Sequence, residues 1–219
     1  MVKLISAYIE HLSAVIPEKD SLKLVRTQAE QFYKTHCAEE CYKAIRPLYE
    51  SDNFQIQEVG VFLCGYIGKE YPDTIQFLRD TVSGHDSWKV QEILAMAFDT
   101  HCKTIGYENA LPLIKEWFAS DTANVRRAVS EGLRVWTSRP YFKEHPGVAT
   151  SLLAEHRSDE SEYVRKSIGN ALRDVSKKHP ALIKNELDKW DISSKQVKQV
   201  HKLASAWILK QGPSAASYE

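Results

Sequence analysis

The chain has 219 residues, of which 43% are apolar and 26% charged, the make-up of a globular protein long enough to bury its own core. Its formal net charge of zero argues, as a bulk figure, against a polyanion binder. No apolar run is long enough to span a bilayer. The opening Met1-Val2-Lys3-Leu4-Ile5 is soon broken by Glu10, His11 and Glu18, unlike a secretory leader, so the four cysteines are expected to be reduced thiols in the cytoplasm.

In chain order, apolar stretches with helical spacing open at Val25, Ile56, Val90, Val125, Val164 and Val197. Shorter helices are expected ahead of the middle four anchors, over Ala38–Tyr49, Thr74–Val82, Ala110–Ala119 and Gly147–Ala154. Ser51-Asp52-Asn53, Ser83-Gly84-His85-Asp86, Ser120-Asp121 and Ser158-Asp159 punctuate the register; Ser, Asp and Asn accept hydrogen bonds from the free N–H groups that start helices. Thr137–Pro146, with two prolines, is the longest irregular insertion and accounts for the longest anchor spacing. Nothing alternates like a strand. Gly212 and Pro213 end the last helix, and Gly212–Glu219 is expected to be disordered.

One segment is repeated. Asn124-Val125-Arg126-Arg127-Ala128-Val129-Ser130-Glu131-Gly132-Leu133-Arg134 is echoed by Tyr163-Val164-Arg165-Lys166-Ser167-Ile168-Gly169-Asn170-Ala171-Leu172-Arg173, with Val125 and Val164 39 positions apart. Such a period marks stacked helix pairs, a solenoid of the HEAT kind. The fold expected is all-α, an α-solenoid of about six helix pairs forming one domain over residues 1–211.

The repeat carries charge to a defined face. With each anchor as position zero, Glu92 is at position two, Glu131 at six and Asp174 at ten, so the three carboxylates share one helix face and one trough. Arg127 and Lys166, at position two, share that face. Arg134 and Arg173, at position nine, lie beside it, and Trp88 and Trp136 bracket the region. The charge is divided as well: residues 1–120 hold 12 Lys and Arg against 17 Asp and Glu, and residues 121–219 hold 17 against 12, nets of −5 and +5. A groove with central carboxylates and a cationic rim suits a cationic group on a polyanion. From spacing alone, ion pairs between repeats are the preferred reading, because they place charges in the same pattern.

The residues also resemble a known family. Val125-Arg126-Arg127-x-x-Ser130-Glu131-Gly132-x-Arg134 is similar to the V-R-R-x-x-S-E-G-x-R motif of the AlkC branch of the AlkC/AlkD DNA alkylation-repair glycosylases. Glu162-Tyr163-Val164-Arg165-Lys166-Ser167-Ile168-x-Asn170-x-Leu172-x-Asp174-x-Ser176-Lys177-x-His179-Pro180 resembles that branch's next repeat. Glu92-Ile93-Leu94-Ala95-x-x-Phe98 resembles the family's E-F-A-I-R-P-F, with Met96-Ala97 in place of Arg-Pro. The P-R-L-P-W segment is replaced by Val135-Trp136-Thr137-Ser138-Arg139-Pro140. The immunoglobulin-like domain that some relatives add is not expected within these residues.

The resemblance implies a HEAT-like solenoid that cradles duplex DNA and excises N3- or N7-alkylated purines, with Glu131, Asp174 and Glu92 as catalytic carboxylates. Arg126, Arg127, Arg134, Arg165, Lys166, Arg173 and Lys177 would hold phosphates, with Trp88 and Trp136 at the groove. Arg126 and Arg165, at position one, are alternatively inter-repeat ion pairs. No metal or other cofactor is expected, no membrane, and a monomer working in the cytoplasm and on the nucleoid. Two other readings stay open: a catalytically silent HEAT-like protein that binds DNA structures, for which a basic trough with displaced or paired carboxylates is expected, and a protein-interaction scaffold, for which the cations of the basic half are not expected to gather on the concave face.

Other signals are set aside. His36, Cys37 and Cys41 lack a fourth metal ligand. His101-Cys102 has no base and orienter beside it. Tyr33, Tyr42, Tyr49, Phe62 and Phe77 are spaced like core residues. Gly65-x-x-Gly68 is too short for a phosphate loop.

Overall fold

A computed structural model describes residues 1–17 and 19–211. The tail expected to be disordered, Gly212–Glu219, lies outside the described residues, as does the helix stop at Gly212-Pro213. Among the described residues there are thirteen α-helices and no strand, and no helix is long and apolar enough to cross a membrane. The chain divides into two compact units, the first Met1–Gly106 and the second opening at Tyr107.

The first unit contains α1 (Val2–Val15), α2 (Leu22–Thr35), α3 (Ala38–Tyr49), α4 (Phe54–Ile67), α5 (Asp73–Asp80) and α6 (Trp88–Ile105). The second contains α7 (Leu111–Phe118), α8 (Ala123–Gly132), α9 (Pro140–Glu144), α10 (Pro146–Glu155), α11 (Glu162–Ser176), α12 (Pro180–Leu187) and α13 (Lys195–Gln211). With α9 set apart, these are six consecutive helix pairs, and the anchors begin the second helix of each. Val25, Ile56, Val90, Val125, Val164 and Val197 are all buried. Because the anchors recur at the same helical phase, the second helices lie side by side within each unit: α4 packs on α2 and α6, and α11 on α8 and α13.

Local chemistry sets the helix ends. Asn53 caps α4, its Oδ1 accepting from Gln55 N at 2.9 Å, and Ser161 Oγ accepts from Val164 N at the start of α11. The other expected Ser and Asp breakers do not cap the helix that follows through their side chains. Prolines occupy the first turns of α7, α9, α10 and α12, where the missing N–H costs nothing. Gly106 ends α6 at φ 89°, a backbone angle that strains any residue with a Cβ. Inside the first unit Gly65 lets α4 and α6 meet: a Cβ there would stand 2.5 Å from the Ala97 carbonyl oxygen.

The residue after each of the middle four anchors plays a part that periodicity did not reveal. Its side chain donates to the carbonyl six residues upstream, stitching the helix to the loop that enters it. Gln57 Nε2 reaches Ser51 O at 2.8 Å and Gln91 Nε2 reaches His85 O at 2.7 Å. Arg126 Nη1 reaches Ser120 O at 2.8 Å, and Arg165 Nη1 reaches Asp159 O at 2.6 Å. Part-buried carbonyls at helix entries gain from a donor, and this position supplies it in both units.

The insertion is more ordered than its prolines imply. Residues 136–138 form a 3-10 turn and Pro140–Glu144 form α9. Trp136 and Phe142 are fully buried, with ring centroids 4.7 Å apart in an edge-to-face arrangement, so aromatic burial holds the segment.

Candidate functional site

In the second unit, Glu131 near the end of α8 and Asp174 near the end of α11 come together, as their shared phase requires. Both are gripped by Arg134, just beyond α8. Its Nη1 donates to Glu131 Oε1 at 3.1 Å and its Nε to Asp174 Oδ2 at 3.1 Å. Ser167 Oγ donates to the other Glu131 oxygen at 2.8 Å, and Ser130 Oγ bonds Ser167 Oγ at 2.8 Å. Lys177 Nζ takes the remaining Asp174 oxygen. Burial pushes the Arg134 guanidinium down, but its bonds to the two carboxylates outweigh that and hold it above the ordinary arginine value. The carboxylates are 19% and 13% exposed, Arg134 38%. The two carboxylates are therefore neutralised and nearly closed off, with Arg134 and the half-exposed Lys177 as the accessible members of the cluster.

Several expected phosphate contacts are corrected. Arg126 is buried: its Nε and Nη2 form a bidentate pair with Asp159 at 2.6 and 2.9 Å, and Nη1 also reaches Asp121 O at 3.0 Å. Its guanidinium is spent on structure. The Asp159 bond raises the Arg126 pKa above its ordinary value against the opposing effect of burial. Burial pushes Asp159 up, but Arg126 and the Ser161 N–H outweigh it and hold the carboxyl below its usual range. Arg165 divides itself between Gln199, at 2.8 Å, and the carbonyls of Asp159 and Glu160. Of the two readings for these arginines, inter-repeat bonding is the one their geometry matches.

Arg127 is also buried, with its guanidinium carbon 4.3 Å from the centroid of the half-exposed Tyr163 ring; the ring covers the charge that was to meet phosphate. Trp136 is fully enclosed and cannot touch DNA without unfolding its segment. Lys166 and Lys177 remain open to solvent, on ion pairs with Glu162 at 2.8 Å and with Asp174, and Arg173 is partly exposed. Exposed pairs of this kind are weak and can exchange partners. Of the five aromatics taken as core, Phe62 and Phe77 are buried, whereas Tyr33 and Tyr42 are exposed and stack on Tyr66 and Tyr71 at 5.1 and 4.5 Å.

Glu92 belongs to the first unit. It is partly exposed on α6, one turn after Trp88, whose side chain stands 61% exposed at the start of the helix. The two open onto a cleft of about 160 Å³, walled by Leu22, Ile93 and Met96. Lys89 on the same helix pairs with Asp20 of the α1–α2 loop at 2.9 Å. Gln55 of α4 holds that loop, donating to Pro17 O at 2.8 Å and accepting from Ser21 N at 3.0 Å.

Sequence reasoning missed Glu58, on α4. It lines the same cleft yet is only 2% exposed, and its Oε2 has no hydrogen-bond partner among the described residues. Burial first, and Asp20 second, raise its carboxyl to about 7, against the pull of Lys89. A sequence signal existed: Glu58 follows Ile56 at position two, as Glu92 follows Val90 and Arg127 follows Val125.

The class the fold defines is an all-α helical-repeat protein, with carboxylates and cations at one phase of the second helix in its middle four pairs. The chain matches the family model of the DNA alkylation repair enzymes over residues 21–211 and belongs to that family. Among solved structures it is similar to AlkD2 from Streptococcus mutans, 46% identical with a TM-score of 0.88, over 92% of this chain and 97% of that one. It shares its fold with the Pseudomonas fluorescens alkylpurine DNA glycosylase AlkC, solved bound to DNA containing an abasic site analogue. That likeness has a TM-score of 0.52 at 22% identity, over 97% of this chain and 64% of the other. A curated relative, the uncharacterised YhaZ of Bacillus subtilis strain 168, is 28% identical over 193 residues, which are 74% of this chain. The chain spans about half, 54%, of that relative's length.

Proposed function

We propose that the chain is a monofunctional DNA N-glycosylase that removes cationic N3- or N7-alkylated purines from duplex DNA, as a monomer, with the reaction at Trp88 and Glu92. The observation that carries this reading is the exposed indole of Trp88 one turn ahead of the Glu92 carboxylate, on the rim of a cleft. An N-alkylated purine already bears a positive charge and leaves without a general acid. As the glycosidic bond breaks, charge passes to the deoxyribose. A carboxylate beside that sugar stabilises the oxocarbenium-like state and orients the water that attacks its anomeric carbon. The indole face adds attraction for the same cation. Lys166, Lys177 and Arg173, from the more basic half of the sequence, hold phosphates. Likeness to a glycosylase of the same fold supports the assignment.

The Arg134 clamp favours a second reading. Glu131 and Asp174 are already neutralised, as expected of a protein that binds DNA without cleaving it. The deciding experiment is release of 3-methyladenine and 7-methylguanine from methylated DNA by wild type and Glu92→Gln. The proposal expects release by wild type and a loss of about a hundredfold in the variant, with an unchanged melting temperature. Salt-dependent DNA binding without any release would establish the silent reading. Release at the wild-type rate by Glu92→Gln would remove Glu92 from the mechanism.

A further inference from the structure

The terminal helix of the second unit, α13, carries four lysines and one histidine and no carboxylate. Every other α-helix among the described residues has at least one Asp or Glu. At about 100° per residue, Lys195, Lys198 and Lys202 fall within roughly 60° of one another. They lie on the side opposite Val197, Val200 and Ala204, which are buried where the helix packs on α11. All three lysines are exposed, and none has an ion pair among the described residues. Elsewhere in the unit Lys166, Lys177, Lys184 and Lys189 each hold a carboxylate. Lys198 follows the anchor Val197, yet among the described residues its side chain makes no bond to the carbonyl six residues upstream, the bond its counterparts make in the middle four pairs. Gln199 instead ties α13 to α11, accepting from Arg165 Nε at 2.8 Å. The fold therefore spends none of these three ammonium groups on itself, and their placement works against it. Lys195 and Lys198 stand in the first turn, at the positive end of the helix dipole, and spacings of three and four residues set like charges side by side.

We propose that this face of α13 is a contact surface for the sugar–phosphate backbone of duplex DNA, outside the residues already assigned to phosphates: Lys195, Lys198 and Lys202 follow one strand and hold the duplex whatever its sequence or lesion. This rests on the reading of the chain as a DNA-binding protein, and not on excision or on the Trp88–Glu92 cleft. A duplex carries one negative charge per about 1.7 Å of its axis, and the three lysines span about 10 Å of α13. Each can meet a phosphate, and the row of anions relieves the repulsion among them. Lysine is a flexible point charge without the planar fork that reads a base edge, so these contacts position the duplex and carry no sequence information. An anionic membrane fits less well. A helix that lies on lipid buries its apolar face there, whereas the apolar face of α13 is already packed on α11, and Leu209 is the only large apolar side chain it exposes.

The test is binding of a short unmodified duplex by the full chain, followed by fluorescence anisotropy between about 50 and 200 mM salt. The triple variant Lys195→Gln, Lys198→Gln, Lys202→Gln is expected to lose affinity at least about tenfold at the low end of that range. Its slope of log affinity against log salt should fall by about 2–3 units, nearly one for each phosphate lost. Because the three charges repel one another and the helix dipole, its melting temperature should match or exceed that of wild type. Arginine at the same three positions should keep the wild-type slope. A second triple variant, Lys3→Gln, Lys69→Gln, Lys115→Gln, removes the same charge from dispersed exposed sites and should change the slope by less than about one unit. A wild-type protein whose slope the α13 variant does not alter, or an equal effect in the dispersed variant, would overturn the proposal and leave DNA binding itself standing. A wild-type protein that binds no duplex would overturn both. Lysine-dependent binding to vesicles of phosphatidylserine and phosphatidylcholine, without binding to the duplex, would overturn it in favour of a membrane. Duplex binding of the expected pattern in a protein that excises nothing would sustain the α13 surface and overturn only the glycosylase reading.

Discussion

Arg126 separates a structural cation from a DNA contact more sharply than any other residue here. In the second unit its guanidinium makes five bonds shorter than 3.8 Å: two to Asp159, two to the carbonyls of Ser120 and Asp121, and a longer contact of 3.7 Å to Glu160. Arg126 and Asp159 are 8% and 4% exposed. Arg126→Ala leaves the Asp159 carboxylate and two carbonyls without that donor, and breaking a buried pair from one side costs about 3–5 kcal/mol. At roughly 2–4 °C per kcal/mol for a chain of this size, the melting temperature should fall by roughly 6–20 °C. Arg126→Lys keeps the charge without the fork and should fall between. Arg126→Met with Asp159→Leu, which removes both charges, should recover much of the loss. The penalty also has a sign in pH. Asp159 titrates below its usual value when folded, so the stability it lends is present above its unfolded pKa and is lost as pH falls through the folded one. The gap between wild type and Arg126→Ala should therefore narrow in acid. Thermal melts from pH 3 to 8 and salt titrations of DNA binding are the assays. A variant that melts within a degree of wild type while the salt slope drops by about one unit would refute the latch and return Arg126 to the phosphates.

The remaining predictions concern other parts of the two units. Arg134→Ala should cost only about 1 kcal/mol, since that side chain is 38% exposed and solvent screens its pairs, and the loss should shrink as added salt screens them further; an undiminished penalty at high salt would show that packing, not charge, is at stake. Glu58 has a folded pKa of about 7 against an ordinary 4.5, so it binds its proton more tightly when folded. Stability from this group is full below about 4.5 and is lost as pH rises through about 7, on the order of 3 kcal/mol in all. Glu58→Gln should abolish that decline, and chemical denaturation across the range reads it. Gly65→Ala drives a Cβ to 2.5 Å from the Ala97 carbonyl oxygen and should cost about 1–3 kcal/mol by overpacking; a neutral result would mean that α4 and α6 part easily.

Much of the fold was legible because one periodicity fixes it. Six apolar anchors at solenoid spacing, each followed by a helical pattern, are six buried residues beginning six packed helices. The meeting of Glu131 and Asp174 was legible for the same reason: phase on parallel neighbours is arithmetic. Phase does not say which members of a face are covered. Arg127 lies on the expected stripe, yet Tyr163 from the next repeat lies over it, and only side-chain packing could show that. Trp136 was placed at the groove from its neighbours in sequence, whereas its ring fills the space against Phe142. Glu58 was missed because its helix is apolar on nearly every side, and periodicity does not tell on which side of such a helix a lone acid is buried.

The position after the anchor and the position two after it divide the labour of the repeat. The first is taken by Gln57, Gln91, Arg126 and Arg165, which differ in charge but perform one act, donating to the carbonyl six residues back. A role open to glutamine and arginine alike is a hydrogen-bonding role, and charge there need carry no message to DNA. The second is taken by Glu58, Glu92, Arg127 and Lys166, two acids in the first unit and two cations in the second. The acids line a cleft with Trp88, and of the cations Lys166 stays in solvent while Arg127 lies under Tyr163. The change of sign falls between the units just as the net charge does. A repeat that spends one position on its own loop and leaves the next one variable can keep its fold while acid is gathered in one unit and base in the other.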